Sequence, residues 1–480
     1  MLREGRRLVL KTSLRRKNNV NFYCTNCGRI FERPSIKCPY CSGLVRAEIP
    51  KQKKFKLTKQ QGIWRFSNYL PKIPSENIVS LDEGFTPLIE AKNFASSIKL
   101  ENVFVKDETR NPTGSFRDRV ATLIVSHAKH VGAKKLVCAT DGNLGASLSA
   151  YSAKAGLKCV AVVPSNADYG KILQMEAFGA EIYEYGKIID EAVVKAKELV
   201  LSEGSYEATA EENTLSIEGL KTIAYELAMQ LSRIDWLVIP AGSGLTLLST
   251  LIGFNELANL GVFKRKPKIL VVQSNVCSPI VDSLKQDNVV CGMEASIGKK
   301  HIPGLDVCKT PLLKYILQHL DYSNTYGVRV TYTSALNYVS IVAKSEGLFI
   351  EPAAAAAFAG LAVFIRKTEN ISKFENVVVL APATGLKAPL TYSKEPSRRK
   401  YSSRLAGLST KALILNVLRE HGETHGYKIW KTLGLSVSVQ AIYQHLEELE
   451  RAGLIESRKV GKKKLYKLTK KGYDVVLALK

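Results

Sequence analysis

Between residues 77 and 390 the apolar positions fall into two alternating patterns. Short, nearly continuous apolar runs stand at 135–139, 158–163, 236–240, 268–272 and 377–380. Runs of this length, several of them leading into glycine-bearing turns, predict buried strands. Between them lie longer stretches with helical spacing, as at 145–155, 188–201 and 220–231. Strands alternating with helices predict an α/β body with largely parallel sheets. In open sheets of that kind, ligands collect at the carboxyl ends of the strands.

After residue 404 the pattern changes. Leu413, Ile414, Val417 and Leu418 share helical spacing over 410–421, and 425–433 reads as a second short helix. A third, 437–452, turns Ile442, Leu446 and Leu449 inward and ends at Gly453. Strand-like runs 454–459 and 464–468 then flank Val460-Gly461-Lys462-Lys463, and Thr469 stands where it would cap a last helix over 470–479. Three helices followed by a basic hairpin predict a winged helix-turn-helix. Its third helix offers Ser438, Gln440, Ala441, Tyr443, Gln444 and His445 to base edges or phosphates. The wing offers Arg458, Lys459, Lys462, Lys463 and Lys464 to phosphates or a minor groove. A winged helix used for protein contacts, with solvated lysines, is the alternative.

Near the other end, Cys24-x2-Cys27 is followed after ten residues by Cys38-x2-Cys41. Two such knuckles supply four thiolates in a tetrahedron, the closed shell of one structural Zn2+ with no position left for catalysis. A zinc ribbon with a basic N-terminal arm is expected over 1–50. A connector over 51–76 follows, its lysine-rich start at 51–59 solvated. The body is expected over 77–390, a polar, basic linker over 391–404 and the winged helix over 405–480. Cys138, Cys159, Cys277, Cys291 and Cys308 read as small core residues, not as a disulfide framework.

The formal net charge of +25 sits at the two ends. Residues 1–80 hold 18 Lys/Arg against 4 Asp/Glu, and residues 391–480 hold 19 against 8, which leaves 81–390 neutral. A neutral body with two basic ends points to a polyanionic partner contacted by the ends, which the winged helix makes double-stranded DNA; basic termini that merely solubilise the chain are the alternative. No run of eighteen apolar residues predicts a membrane span. Residues 1–17 lack the apolar stretch and cleavage site of a secretory signal. The cytoplasm is the expected location.

The central region resembles threonine synthase and its relatives, the second fold type of pyridoxal-phosphate enzymes, with two α/β subdomains. Asp82-Glu83-Gly84-x-Thr86-Pro87-Leu88 and Val105-Lys106-Asp107-Glu108 lead into Asn111-Pro112-Thr113-Gly114-Ser115-Phe116-Arg117-Asp118-Arg119. That last segment differs from the family's NPTGSFKDR only at Arg117. Asp141-Gly142-Asn143-x-Gly145-Ala146-Ser147 is similar to SGNxGAS, and Glu218-Gly219-x-Lys221-Thr222 matches EGxKT. Glu346-Gly347-x-Phe349-Ile350-Glu351-Pro352 resembles EGIFVEP. The resemblance implies that Gly242, Ser243, Gly244, Leu245 and Thr246 form the phosphate loop. It also implies that Asn143 bonds the phenolic oxygen of the pyridoxal ring; capping the following helix is a second role for that side chain. The C-terminal segment resembles PadR-like and ArsR-like regulators.

The departures fall where the chemistry is. The implied Schiff-base lysine is Arg117, whose guanidinium stays charged and forms no aldimine, but suits a bidentate grip on carboxylate or phosphate. Lys106 belongs to the family's ordinary KDE segment and is a poor substitute. Where the family places a threonine against the ring nitrogen, ungapped alignment on Gly385-Leu386-Lys387 places Pro382; a small shift would bring Thr384 there instead. Asp141 replaces a serine.

These features predict a ligand-responsive, DNA-binding regulator with a disarmed body as sensor, acting as a homodimer on two half-sites. The expected ligand is an amino acid, a phosphorylated amino acid, or pyridoxal phosphate held without an aldimine at position 117. Two alternatives stand beside it. One is a threonine synthase-type lyase converting O-phosphohomoserine to threonine, with a regulatory tail. The other is a zinc-ribbon protein of the transcription machinery with a structural body.

Overall fold

A computed structural model of the protein describes residues 20–263, 265–291, 301–388, 402–433, 438–460 and 463–478. The chain divides into two compact units, Met1–Tyr392 and Ser393–Lys480.

The first unit opens on an antiparallel ribbon, β1 (Phe22–Cys24) between β2 (Ile30–Phe31) and β3 (Val45–Ala47). A module this small cannot bury a sufficient core of its own, and it shares one with the body. Phe22, Ile36 and Leu44 are buried in the same apolar cluster as Leu123, Ile217 and Leu248. Polar contacts fix the seam: Thr214 Oγ1 donates to the Val45 carbonyl, Tyr315 Oη to that of Ser42, and Ile36 N to that of Glu212. Lysines of 51–59 face solvent as expected, but the segment after them does not. The 3-10 turn Gly62–Tyr69 buries Ile63, Trp64 and Phe66, and Phe55, Phe66 and Tyr69 surround the Tyr225 ring.

The body's strands are β4 (Leu88–Glu90), β5 (Val103–Asp107), β6 (Lys135–Ala139), β7 (Lys158–Val163), β8 (Glu181–Glu184), β9 (Tyr206–Glu207), β10 (Trp236–Pro240), β11 (Lys268–Ser274), β12 (Val289–Cys291), β13 (Thr325–Val330) and β14 (Val377–Ala381). They form an all-parallel sheet in the order β8-β7-β6-β9 and a seven-stranded sheet in the order β12-β13-β11-β10-β14-β5-β4, parallel except for β4. The expected α/β class with parallel sheets is what forms. The helical stretch at 220–231 is in fact two helices, Leu215–Leu220 and Thr222–Gln230, which meet at Lys221. One expectation fails. Cys277 and Cys308 are joined in a disulfide, because the turn after β11 brings residue 277 to 4.7 Å (Cα–Cα) from residue 308, 31 positions further on. Cys138 and Cys159 are free and buried.

In the second unit, helix Ser402–His421 precedes β15 (Thr424–His425), then helices Gly426–Leu433 and Val439–Arg451. β16 (Ile455–Val460) and β17 (Lys463–Leu468) form the wing, and helix Lys470–Ala478 closes the unit. The sheet order is β15-β17-β16. Ile414, Leu418, Ile429, Ile442, Leu446 and Leu468 make its core. Among the described residues no helix is long and apolar enough to cross a membrane.

Candidate functional site

The carboxyl ends of β6, β10 and β14 face one cleft of about 1270 Å³ of free space, its open mouth included. After β10 the chain turns through Gly242-Ser243-Gly244 into helix Leu245–Asn259. Gly244 holds φ +78 there, a left-handed conformation that a side chain disfavours. The first N–H groups of that helix have no intrahelical acceptor and point at the cleft's end, where an anion is favoured. Gly242 through Thr246 all line the cleft, and the 304–311 segment packs over them, with Thr310 Oγ1 donating to the Ser243 carbonyl.

Arg117 lines the opposite wall at the start of helix Asp118–His130. Its Nη2 donates to Glu211 Oε1 at 3.2 Å, and Ser243 Oγ donates to the same oxygen at 2.9 Å. Glu211 therefore bridges the arginine and the glycine turn. Arg117 Nη1 is buried without a hydrogen-bond partner. Asn143 Nδ2 donates to both oxygens of Glu351 at 3.1 Å each, while its Oδ1 has no partner. Lys171, buried beside them, reaches Glu351 at 3.6 Å. Burial pulls its pKa down, but Glu351, Asp141 and Asp168 outweigh that and hold it above the usual lysine value. Asp141, Asp190 and Glu212 also line the cleft, as do Arg117 and Lys309; Lys171 pairs with Glu351, and Lys197 with Glu212 at 2.8 Å. Neither Glu211 nor Lys309 was singled out from the sequence. No spacing signal marks Glu211 in the sequence; the fold alone brings it to Ser243.

Thr384 does not come into the cleft; Pro382 does. Thr384 Oγ1 accepts from Leu386 N as the cap of the turn Gly385–Lys387 and lies 3.4 Å from the Phe349 carbonyl. Behind this wall Lys387 Nζ donates to the Thr113 carbonyl at 2.8 Å, and burial lowers its pKa to about 8 against the pull of Asp118 and Glu351.

Much of the motif around position 117 is architecture. Arg119 Nε and Nη2 donate to the two oxygens of Glu108 at 2.8 Å each, and Nη2 also to Glu226 at 2.7 Å. Lys106 Nζ donates to Glu226 at 2.7 Å and to the Thr86 carbonyl. Thr113 N and Oγ1 both donate to Asp118 at 2.7 Å. Lys106, Asp118 and Arg119 are fully buried.

In the ribbon, the sulfurs of Cys24, Cys27, Cys38 and Cys41 all lie within 4.8 Å of one another, Cys24 to Cys41 at 3.4 Å and Cys27 to Cys38 at 3.8 Å. A tetrahedral zinc shell with bonds of about 2.3 Å spaces its sulfurs about 3.8 Å apart, so the four fit such an ion. A Cβ on Gly43 would stand 2.8 Å from Cys24 Sγ, which explains the glycine there.

On the third helix of the second unit, Gln440, Tyr443 and Gln444 are exposed. Ser438 caps the helix by accepting from Ala441 N at 3.2 Å, and His445 is half-buried 3.8 Å from Glu448. On the wing Lys459 is exposed. Arg458 is held by both oxygens of Glu423, at 2.7 and 2.6 Å, and Lys464 by Glu450 at 2.9 Å. The side chain of Lys463, and Lys462 altogether, lie outside the described residues.

The profile of the family "pyridoxal-phosphate dependent enzyme" matches residues 79–383. The chain belongs to this family. Threonine synthases are among its relatives. That of Methanocaldococcus jannaschii is 32% identical over 391 residues, covering 78% of this chain and 95% of that protein. That of Synechocystis sp. is 32% identical over 326 residues, covering 67% and 81%. Solved structures with the same fold include the processed form of threonine deaminase isoform 2 from Solanum lycopersicum (TM-score 0.54, 20% identity, 75% of this chain and 98% of that one). O-ureido-L-serine synthase is another (TM-score 0.53, 21% identity, 67% and 96%). The profile of the PadR-like transcriptional regulator family matches residues 414–477, so a PadR-like domain follows the family's body.

The family is named for pyridoxal phosphate, and the cleft fits that group only in part. The glycine turn at a helix start suits a phosphate, but Glu211 is bonded into it. Position 117 has no amine, the Asn143 amide is engaged by Glu351, and Pro382 has no hydroxyl for the ring nitrogen. An aldimine at position 117 does not fit these residues.

Proposed function

We propose that the protein is a ligand-responsive, DNA-binding transcription regulator in which the pyridoxal-phosphate enzyme body binds a small metabolite and the PadR-like winged helix binds double-stranded DNA. The observation that carries this is Arg117 ion-paired to Glu211 where the family's enzymes need a free amine, in a chain that also carries a PadR-like domain. A PadR-like domain implies DNA binding, and the exposed Gln440, Tyr443, Gln444 and Lys459 supply the contacts. The body is kept for its cleft. A ligand that prefers one conformation of the body shifts the population toward it and so changes operator affinity. The protein acts as a homodimer on two half-sites, and its ribbon carries one structural Zn2+.

The test is selection of tight-binding duplexes from a random library, followed by fluorescence anisotropy across salt concentrations. Sequence-selective binding with a steep salt dependence is expected. No enrichment, or affinity indifferent to salt, overturns the reading. The similarity to threonine synthases favours one second reading, a threonine synthase-type lyase with a regulatory tail. Release of phosphate with formation of threonine from O-phosphohomoserine by the purified protein and pyridoxal phosphate would establish it in place of the first.

A further inference from the structure

Ser243 stands at the tip of the glycine turn, where a ligand's phosphate would rest, and its hydroxyl is already engaged. Oγ donates to Glu211, and Arg117 Nη2 meets the same carboxylate oxygen from across the cleft. The segment presenting Glu211 is pinned on both sides. Ala139 N donates to Thr209 Oγ1 at 3.0 Å, Ile36 N to the Glu212 carbonyl at 3.1 Å, and Asn213 Nδ2 to the Glu207 carbonyl at 2.9 Å. Glu211 is thus offered to the turn by a fixed piece of backbone.

We propose that Glu211 is an internal anion that fills the phosphate seat, and that the cleft therefore selects unphosphorylated ligands. This rests on the cleft being a ligand site, as in the proposed function. The helix start and the glycine turn favour one anion, and Glu211 supplies it. A phosphate dianion bonded to Ser243 would stand at contact distance from that carboxylate, where like charges in a partly dry cleft repel strongly. Arg117 keeps Nη1 buried and without a partner, which suits a single carboxylate on the ligand. The ligand class is a small unphosphorylated molecule bearing one carboxylate.

The experiment uses the full chain and a matched pair without an aldehyde, pyridoxine 5′-phosphate and pyridoxine, measured by calorimetry. The native protein is expected to bind the phosphate form no more tightly than the free alcohol. Glu211→Ala, which empties the seat, and Glu211→Gln, which keeps its shape without the charge, are each expected to bind the phosphate form at least tenfold more tightly than the native protein does. Near-ultraviolet circular dichroism checks that both variants are folded. A tenfold preference for the phosphate form in the native protein overturns the proposal, and so does the absence of any gain in two folded variants. DNA affinity is measured on the same samples. A gain in phosphate binding in a protein that does not bind DNA sinks the regulator and leaves this assignment standing.

Discussion

Arg46 of the ribbon places two nitrogens on the buried carboxylate of Glu218, Nε at 2.6 Å and Nη2 at 3.1 Å, and Nη2 also reaches Glu256 at 2.9 Å. Glu218 opens the EGxKT segment, so a motif associated with the body also anchors the N-terminal module. Removing one partner of a buried pair leaves an uncompensated charge and costs about 3–5 kcal/mol. Lys221 still pairs with Glu218 and Glu256 when Arg46 is gone, so Arg46→Ala is expected to lower the unfolding free energy of the first unit, read from urea curves, by no more than about 3 kcal/mol, with the ribbon and body still unfolding together.

Acid should weaken the first unit in two stages. Burial pulls the His127 imidazole from 6.5 down to about 4, so it stays neutral in the folded chain while the unfolded chain takes up a proton. Its contribution is whole above about 6.5 and is lost as pH falls toward 4. Burial pushes Glu218 and Glu226 up, but Arg46 with Lys221, and Arg119 with Lys106, outweigh it and hold both at about 2. Their contribution is whole above about 4.5 and is lost as pH falls toward 2. Thermal unfolding followed from pH 8 to 3 should show both stages, and His127→Gln should remove only the upper one.

Lysine at position 117 alone should not restore the enzyme's linkage, because Glu211 still occupies the glycine turn. Arg117→Lys is expected to give no borohydride-stable adduct of pyridoxal phosphate at position 117, whereas Arg117→Lys combined with Glu211→Ala is expected to give one. Peptide mass mapping reads the site. Threonine formation should stay absent in both, since Pro382 offers the ring nitrogen no hydroxyl.

The wing is less basic in effect than in composition, because Glu423 and Glu450 hold two of its cations. Lys459→Ala should reduce the slope of log affinity against log salt by about 1 on every duplex. Gln444→Ala should cost about 1–3 kcal/mol at one base-pair position and leave the salt slope alone. Glu423→Gln should release Arg458 and tighten binding without changing sequence preference. Anisotropy titrations on selected and scrambled duplexes separate the three.

The strands at 135–139, 158–163 and 236–240 were legible because each is a short apolar run buried on both faces. β13 was not, because Thr325–Val330 mixes glycine and arginine into its apolar positions. The four-cysteine cluster could be read from spacing alone, since two knuckles of this kind bring their thiols together. The cleft's glycine turn and Arg117 were legible through a motif. Glu211 was not, because one carboxylate in Ala210-Glu211-Glu212 carries no spacing signal, and only the fold brings it to Ser243. Ungapped offset placed Pro382 in the cleft wall, where it stands, and the shift that would bring Thr384 there instead does not occur, because its hydroxyl caps the turn Gly385–Lys387. The Cys277–Cys308 bridge depends on two loops whose approach no local pattern encodes.

In the segment from Asn111 to Arg119, the side chains of Asn111, Thr113, Asp118 and Arg119 are tied into the buried interior, while that of Arg117 contributes to the wall of the cleft. Position 117, where the family's motif has a lysine, is therefore separate from the positions that hold the fold. Codons for lysine and arginine can differ by a single base. That single base is not the whole distance, because Glu211 on the glycine turn and Pro382 in the cleft wall would have to change as well.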